Sequence, residues 1–320
     1  MFVKRFEEIG KEMFQECGGK AAHLGELTNL KLNVPKGFNV IGEAYYYHLK
    51  KNDLEEQIRK ISETINYEDF QDLEKKTQKV RELIVNAPIP PEIEQEIVEQ
   101  YERLSSGDQQ QPFVAVRSSV AVKDSPVSSF PGMMDTFHYI QGAETVVEKV
   151  KECWASVWSG RAAFARHNKG IEHFKAVIAP TVQLMVNSQV AGVLFTVNPI
   201  SGEKNEIVIE SNWGLGETVV CGKCQSDLYI INKKPFRVNQ KKIARKEQTY
   251  IQVKEGGAEW APVETEKVNE PTLTTEQIEE LCKIACSVED HYGCHQDIEW
   301  AYEKGALYIL QARRAKVGGE

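Results

Sequence analysis

The chain has 320 residues, of which 41% are hydrophobic and 27% are charged. This is ordinary globular composition, with enough apolar mass for one large domain or two lobes. The formal net charge of −8 argues against a nucleic-acid-binding surface, which is usually basic. No apolar run approaches the roughly 18 residues of a membrane span, and the N-terminal stretch MFVKRFEEIGKEMF lacks a signal-peptide core. We therefore predict a cytoplasmic protein that binds neither nucleic acid nor a membrane.

The cysteines indicate reduced thiols. There are seven of them, an odd number with no pattern typical of a disulfide framework. Cys221 and Cys224 form a CxxC pair, but no second pair lies at a spacing suitable for zinc. We favour two incidental thiols over a metal site.

Two glycine-containing segments of the first half have features of phosphate binding. In ECGGKAAHLGEL, Gly18 and Gly19 precede Lys20 at the start of a helical run, although the GxxxxGK[ST] pattern is absent and a simple turn is the commoner explanation. In FVAVRSSVAVKDSPVSSFPGMMDTF, a short strand leads into Arg117, a bidentate phosphate donor. The loop around Gly132 could direct backbone N–H groups at phosphate oxygens. Four serines suit turn capping as well as phosphate contact: Ser118, Ser119, Ser128 and Ser129.

Helices are predicted on either side of that strand. Residues 50–104 have helical character, with Pro90 and Pro91 at the start of the last helix. Its apolar positions recur at helical spacing: Ile93, Ile97, Tyr101 and Leu104. A second apolar stripe runs through residues 143–167: Val146, Val150, Trp154, Val157 and Trp158.

The second half changes to short β-rich runs. AVIAPTVQLMV, GVLFTV, EIVIES and LYIIN are separated by Gly, Asn and Pro. A late helix follows, opened by a capping box from Thr274 to Gln277 and ended by Gly293. One face of it is apolar: Ile278, Leu281, Ala285 and Val288.

The last element, QDIEWAYEKGALYILQAR, is predicted to be a β-hairpin around Lys304-Gly305. A three-residue loop, residues 304–306, would place Glu299 opposite Gln311 and Asp297 opposite Arg313. Carboxylate and amide oxygens beside a cation suit Mg²⁺ that carries a polyphosphate. A solvated hairpin face with an ordinary salt bridge is an equally good interpretation of the hairpin alone.

Taken together, the motifs resemble a known family. GGKAAHLGEL, VPKGF, VAVRSS, FPGMMDTF, GVLFTVNPISG, WGLGETVV and QDIEWAYEKGALYILQAR occur in the order found in the ATP-grasp nucleotide-binding module of phosphoenolpyruvate synthase, pyruvate phosphate dikinase and rifampicin phosphotransferase. The resemblance covers residues 9–313. It implies an α+β, two-lobed ATP-grasp fold with a first lobe over 1–185, a second over 186–315 and a tail at 316–320. ATP and Mg²⁺ would be the cofactors.

The resemblance also implies roles for individual residues. Lys20 and Arg117 would contact the phosphates, and Gly132 and Thr136 would lie over the phosphate tail. The strand 183–186 would line the adenine pocket. The implied ATP-binding set is Lys20, Arg117, Gly132, Thr136, Gln183, Met185, Val186, Glu299, Gln311 and Arg313. The implied metal set is Glu299, Gln311 and Asp297, and the implied catalytic cations are Lys20, Arg117 and Arg313.

The family reaction splits ATP to AMP and phosphate. A catalytic histidine on a separate domain takes the β-phosphoryl group and passes it to a small acceptor. None of the seven histidines of this chain lies in the sequence context of that phosphocarrier, and Arg314 stands where the family usually has proline. We expect a stand-alone subunit that works with a histidine-bearing partner, similar to the smaller subunit of phenylphosphate synthase, with a phenol-type acceptor or pyruvate bound by the partner. An excised domain of a pyruvate-phosphorylating enzyme and a nucleotide-sensing regulator without chemistry are the alternatives.

Overall fold

The structure is a computed structural model that describes residues 1–105, 111–122, 135–253 and 256–316. The described chain forms two compact units. The first comprises Met1–Asn29 and Lys36–Met185, and the second comprises Leu30–Pro35 and the chain from Val186 onward. The predicted first lobe, 1–185, includes residues 30–35, which group with the second unit instead. They belong to the second unit because Asn33 bonds to its last strand: its Nδ2 donates to the Leu307 carbonyl at 2.8 Å, and its carbonyl accepts from the Ile309 N–H at 3.0 Å.

The first unit combines helices with an antiparallel sheet. Its helices are α1 Phe14–Asn29, α2 Gly42–Lys51, α3 Glu55–Ser62, α4 Phe70–Asn86, α5 Pro91–Arg103, α6 Ala143–Ala155 and α7 Gly160–Asn168. Its strands are β1 Val3–Arg5, β2 Gly37–Val40, β3 Val114–Arg117, β4 Val120–Val122, β5 Thr136–Ile140, β6 Ala176–Ile178 and β7 Thr181–Leu184. Five of these strands form a sheet in the order β1-β2-β7-β3-β5, and β4 pairs with β6.

The core of this unit confirms the predicted helical stripes. The four apolar positions of α5 and its end are buried, as are the five of the stripe through α6: Ile93, Ile97, Tyr101, Leu104, Val146, Val150, Trp154, Val157 and Trp158. They pack in one cluster with apolar side chains of β2, β3 and β7. Burial of this stripe against the sheet is what holds the helices in place, since isolated helices of this length are marginal in water.

The second unit is built on a larger antiparallel sheet. Its helices are α8 Glu217–Val220 and α9 Thr275–Tyr292, and its strands are β8 Val190–Phe195, β9 Glu206–Trp213, β10 Asp227–Lys233, β11 Phe236–Lys242, β12 Gln248–Gln252, β13 Ala258–Pro262, β14 Gln296–Glu303 and β15 Ala306–Arg314. The main sheet has the order β11-β10-β9-β8-β14-β15, and β12 pairs with β13. Helices beside antiparallel sheets in both units confirm the predicted α+β class.

Helix α9 covers one face of the main sheet. It begins at the predicted Thr274–Gln277 capping box and ends at Gly293, which has the left-handed conformation. Its apolar side chains are buried, and Glu289 accepts hydrogen bonds from Thr196 and Lys233 of the sheet face beneath it. We call this the covered face. The opposite face, which we call the open face, carries half-buried apolar side chains: Val193, Phe195, Leu228 and Ile230.

The hairpin of β14 and β15 corrects one prediction. The loop has two residues, Lys304 and Gly305, both with positive φ, as a type I′ turn requires. The three-residue loop was therefore wrong. The predicted pairs nevertheless occur, Glu299 opposite Gln311 and Asp297 opposite Arg313, because Leu310 forms a β-bulge that shifts the register by one residue.

A buried ion pair ties the segment after β11 to the sheet. Lys246 Nζ lies 2.7 Å from Asp227 Oδ1, and both side chains are fully buried. Asp227 also accepts hydrogen bonds from the backbone of Ala244 and from the backbone and hydroxyl of Thr272. One carboxylate thus binds two distant segments, 244–246 and Thr272.

No helix within the described residues is long and apolar enough to cross a membrane.

Replacing Lys246 with methionine is expected to lower the free energy of unfolding by about 3–5 kcal/mol, because it leaves the Asp227 carboxylate buried without its cation. Urea denaturation monitored by tryptophan fluorescence measures the change. Arg245→Met is the matched control. Arg245 pairs with Glu247 at the surface, where both side chains are more than 60% exposed, so its loss should cost less than about 1 kcal/mol. Equal effects of the two substitutions would contradict this account.

Candidate functional site

The first unit brings Arg117 and Gln183 together. Arg117 ends β3 and lies opposite Thr136 on β5 and Thr181 on β7. Its Nη1 donates to Gln183 Oε1 at 3.1 Å. The Gln183 side chain is 4% exposed, and its buried Nε2 has no hydrogen-bond partner within the described residues. A buried amide donor without a partner is costly for the fold, which is typical of a group that binds a ligand.

The segment after β3 also contacts the start of the helical run that carries Lys20. Helix α1 is interrupted at Gly18, where φ is +74° and ψ is 163°, so the helix begins again at Gly19. Ser119 Oγ accepts a hydrogen bond from the Ala21 N–H at 3.3 Å. This contact places half-buried Lys20 in a new first helical turn beside the residues that follow Arg117. A helix start with a lysine suits an anion. Of the two interpretations of the serines, Ser119 fulfils the capping one.

Two further charged residues influence the pKa of the buried Cys153 thiol. Burial raises its pKa to about 12, while the charge of Lys20 acts to lower the pKa and the charge of Asp135 acts to raise it. Lys20 and Asp135 therefore lie within electrostatic range of the same side chain on α6. Asp135 directly precedes β5, where Thr136 is exposed. Gly132, which was predicted to lie over the phosphates, falls outside the described residues.

The predicted adenine strand runs across the boundary of the units. Gln183 belongs to β7, and the Met185 N–H donates to the Phe113 carbonyl at 2.9 Å beside β3. Val186 instead packs in the second unit, against Ala191 and Ala301. The three residues therefore have different structural environments, and their shared role in binding adenine stays a prediction.

In the second unit, the hairpin places the predicted metal and phosphate residues on the open face. Arg313 Nε donates to Asp297 Oδ2 at 2.8 Å, with the Arg313 side chain 54% exposed and that of Asp297 10% exposed. Glu299 is half-buried and Gln311 is buried. The strand register thus puts these four side chains on one face, as the sequence predicts.

Asp297 is held in an unfavourable environment for a charge. Burial raises the pKa of its carboxyl group, and the charge of Glu299 raises it further, while the charge and hydrogen bond of Arg313 act to lower it. Its buried Oδ1 has no hydrogen-bond partner within the described residues. An orphaned carboxylate oxygen beside a second carboxylate and an amide oxygen fits the ligands that Mg²⁺ prefers.

The acidic residues alone are too few for a metal site. Within the described ranges, no three His, Cys, Asp or Glu side chains are gathered closely enough to hold a metal ion. Neither Asp297 with Glu299 nor the CxxC pair therefore forms a complete set of metal ligands from such side chains within those ranges. In the CxxC pair, Cys221 is exposed and Cys224 is half-buried. A magnesium ion at the hairpin would need further oxygens from Gln311 and from a bound polyphosphate. That is the usual way in which proteins bind Mg²⁺ with nucleotides.

Comparison with known proteins identifies the family. The family model described as "Pyruvate phosphate dikinase, AMP/ATP-binding domain" matches residues 14–320. The chain belongs to this family. The predicted resemblance to phosphoenolpyruvate synthase and pyruvate phosphate dikinase is therefore confirmed, and with it the ATP-grasp type of α+β fold.

Several curated relatives are named phosphoenolpyruvate synthase. The probable enzyme of Methanocaldococcus jannaschii is 41% identical over 98% of this chain and 26% of its own length. The enzyme of Pyrococcus furiosus is 40% identical over 98% of this chain and 43% of its own length. The probable enzyme of Methanothermobacter thermautotrophicus is 36% identical over 100% of this chain and 46% of its own length. The chain spans less than half the length of each of these relatives.

Gly18→Ala is expected to destabilise the protein through a close contact. A methyl group at Gly18 would meet the Ser119 hydroxyl and lie 2.7 Å from the Ser119 carbonyl carbon. Gly170→Ala is the control, because Gly170 also has a positive φ, +64°, but nothing lies within 4 Å of the added methyl group. Both variants carry the strain of a positive φ. Gly18→Ala adds overpacking of about 1–3 kcal/mol, and its ψ of 163° lies in a region essentially restricted to glycine. Urea denaturation compares the two, and equal losses would disprove the close contact.

Asp297→Asn is expected to stabilise the nucleotide-free protein at pH 7, although the residue is predicted to bind metal. A carboxyl group whose pKa is raised on folding makes the fold less stable as the pH rises above its unfolded value, because the folded state holds the proton more tightly. The advantage of the variant over the wild type should therefore disappear as the pH is lowered through the range in which Asp297 gains its proton.

Thermal melts of both proteins between pH 4 and 8 measure this difference, and Arg313→Gln serves as a companion variant. The guanidinium of Arg313 lowers the pKa of Asp297 through its charge and its hydrogen bond. Arg313→Gln removes both effects, so the stability of this variant should fall more steeply with rising pH. A variant Asp297→Asn that is less stable than the wild type at pH 7 would show that the ion pair dominates over burial.

Proposed function

We propose that this chain is the nucleotide-binding component of a dikinase-type phosphotransferase. It would split ATP to AMP and phosphate and pass the β-phosphoryl group to a catalytic histidine on a separate partner subunit or domain. The observation that carries the proposal is the family membership together with the hairpin, whose register puts Asp297, Glu299, Gln311 and Arg313 on one face. The names of the relatives favour pyruvate as the final acceptor over a phenol.

The cations of the first unit would neutralise the polyphosphate. Arg117 has a planar fork of donors that suits phosphate oxygens, and its bond to Gln183 orients that fork. Lys20 would add a point charge at the start of the second part of α1. Fixed donors of this kind stabilise the charge that moves onto the transferred and leaving oxygens, which is the main catalytic contribution in phosphoryl transfer.

The second unit would position the metal and one end of the phosphate chain. Glu299 and Gln311 would hold Mg²⁺ from opposite strands, and Asp297 would add its orphaned Oδ1. The ion held by these residues would offset the negative charge of the phosphates. Arg313 donates to Asp297 through Nε, and its terminal nitrogens would contact a phosphate. The seven free thiols support a reducing, cytoplasmic location.

The alternative, a nucleotide sensor without chemistry, does not require the full set of metal-binding oxygens. Retention of both carboxylates and the amide therefore supports the phosphotransferase. The distinguishing feature is transfer of the β-phosphoryl group, because a sensor would bind ATP and leave it intact.

The test uses ATP labelled at the β-phosphate, Mg²⁺ and this chain, with and without a separately expressed histidine-bearing domain. Label on the partner histidine, with AMP formed only in the mixture, is the expected result. Glu299→Gln should lower the rate of AMP formation on the order of 10²-fold, since it removes a charged ligand from the reacting centre.

Glu303→Gln is the matched control for that variant. It removes the same charge from the same strand, but beside the hairpin turn, where Glu303 lies opposite Ala306. Its rate should stay within about twofold of the wild type, because Glu303 lies four residues along β14 from Glu299, roughly 13 Å, which is more than the Debye length at physiological salt. Binding of ATP with no transfer to any histidine-bearing partner would reject the phosphotransferase in favour of a sensor.

A further inference from the structure

The CxxC pair of the second unit lies between α8 and β10. Cys221 directly follows α8, and its N–H donates to the Glu217 carbonyl at 3.1 Å. The backbone then bends at residues 222–224, with Gly222 at a φ of +68°. Nothing lies within 4 Å of the position that a side chain at Gly222 would occupy. The chain between the two cysteines therefore has room to adjust.

The bend brings the Cys221 sulfur close to Cys224. The Lys223 N–H donates to Cys221 Sγ at 3.4 Å, so this sulfur contacts the residue that directly precedes Cys224. Burial raises the pKa of the Cys224 thiol, and the charge of Cys221 raises it further, while the charge of Lys223 acts to lower it. The first and fourth Cα atoms of a turn lie within about 7 Å of each other, and a disulfide joins Cα atoms about 4.4–6.8 Å apart.

The two thiols differ in exposure and in contacts. All seven cysteines lie within the described ranges, and only Cys221 is exposed. Cys224 is half-buried, and its Sγ donates to the Gln248 carbonyl at 3.8 Å. Asn212 Nδ2 donates to the Gln225 carbonyl at 3.1 Å, which fixes the backbone next to Cys224. A reagent in solution can thus reach one thiol, while the second is held nearby.

The other thiols lack this combination. Burial raises the pKa to about 12 for the thiols of Cys17, Cys153 and Cys282, so they stay protonated and unreactive. A metal ion is a poorer occupant of the CxxC pair, because within the described chain no group of three His, Cys, Asp or Glu side chains could hold one.

We propose that Cys221 and Cys224 form a reversible disulfide in reaction with hydrogen peroxide. The Cys221 thiolate attacks the peroxide, so that an S–O bond forms, the O–O bond breaks, and one water leaves. The Cys224 sulfur then attacks the Cys221 sulfenic acid. The S–S bond forms, the S–O bond breaks, and a second water leaves with the Cys224 proton. The two thiols lose two electrons and two protons, and a dithiol restores them by exchange.

This modification site is separate from the proposed phosphoryl transfer and does not depend on it. In a reducing compartment, disulfides are usually transient and serve catalysis or redox sensing. The CxxC spacing alone favours incidental thiols, because it does not record whether the chain bends between them. The structure adds the bend and the contrast in exposure.

Peptide mapping of the reduced 320-residue chain after treatment with equimolar hydrogen peroxide tests the proposal. Free thiols are blocked with iodoacetamide before digestion with trypsin. Because trypsin cuts after Lys223, the bridge should join the peptides 205–223 and 224–233, and dithiothreitol should separate them. The joined peptides should come from monomeric chain on a non-reducing gel. The Cys221 thiol should disappear about 10-fold faster than that of half-buried Cys286, because oxidation follows exposure.

Three serine variants complete the test. Cys224→Ser should leave Cys221 as a sulfenic acid that dimedone captures, and Cys221→Ser should leave Cys224 reduced. Cys286→Ser is the matched control and should form the bridge at the wild-type rate. An unreacted Cys221, a wild-type Cys221 that dimedone captures without a bridge, or joined peptides found only in covalent dimers would each overturn the proposal.

Discussion

The β-bulge at Leu310 is the constraint on which the proposed metal and phosphate end of the site depends. The two-residue turn at Lys304-Gly305 sets a register in which Trp300 lies opposite Ile309. Continued without interruption, that register would place Leu310 opposite Glu299, and Gln311 and Arg313 would point to the covered face. One extra residue on β15 turns them to the face of Asp297 and Glu299. The local chain geometry, rather than the residue types alone, thus assembles the polar cluster.

The buried polar groups of the main sheet are of two kinds, those with a partner and those without one. On the covered face, Asp227 binds Lys246 and the backbone of Ala244 and Thr272, whereas Trp300 Nε1 has no hydrogen-bond partner within the described residues. On the open face, the buried Oδ1 of Asp297 has no hydrogen-bond partner within the described residues. Such groups reduce stability in the absence of a ligand, and proteins commonly retain them where a ligand supplies the missing bonds.

In the first unit, close packing fixes the backbone on either side of the predicted phosphate-binding cations. Gly18, which has a positive φ and an extended ψ, interrupts α1. It lets the Ser119 backbone approach closely, which a side chain at position 18 would prevent. The contact fixes the start of a helix beside the end of β3. Arg117 is oriented in turn by Gln183, whose remaining amide group is buried and unpaired. The cations proposed to bind phosphate are therefore carried by backbone positions that packing has already fixed, so little conformational entropy would be lost on binding.

The sequence by itself determined the class of fold, the helical stripes of α5 and α6, the capping box and glycine stop of α9, and the family with its candidate residues. These depend on local periodicity, capping chemistry and motif order, all of which are present in the linear chain. Tertiary structure alone decided the bulge at Leu310, the assignment of residues 30–35 to the second unit and the Asp227–Lys246 pair. The physical reason is that each of these depends on strand register or on packing between segments far apart in sequence. A shift of one residue reverses which face a side chain occupies, and no local pattern records that choice.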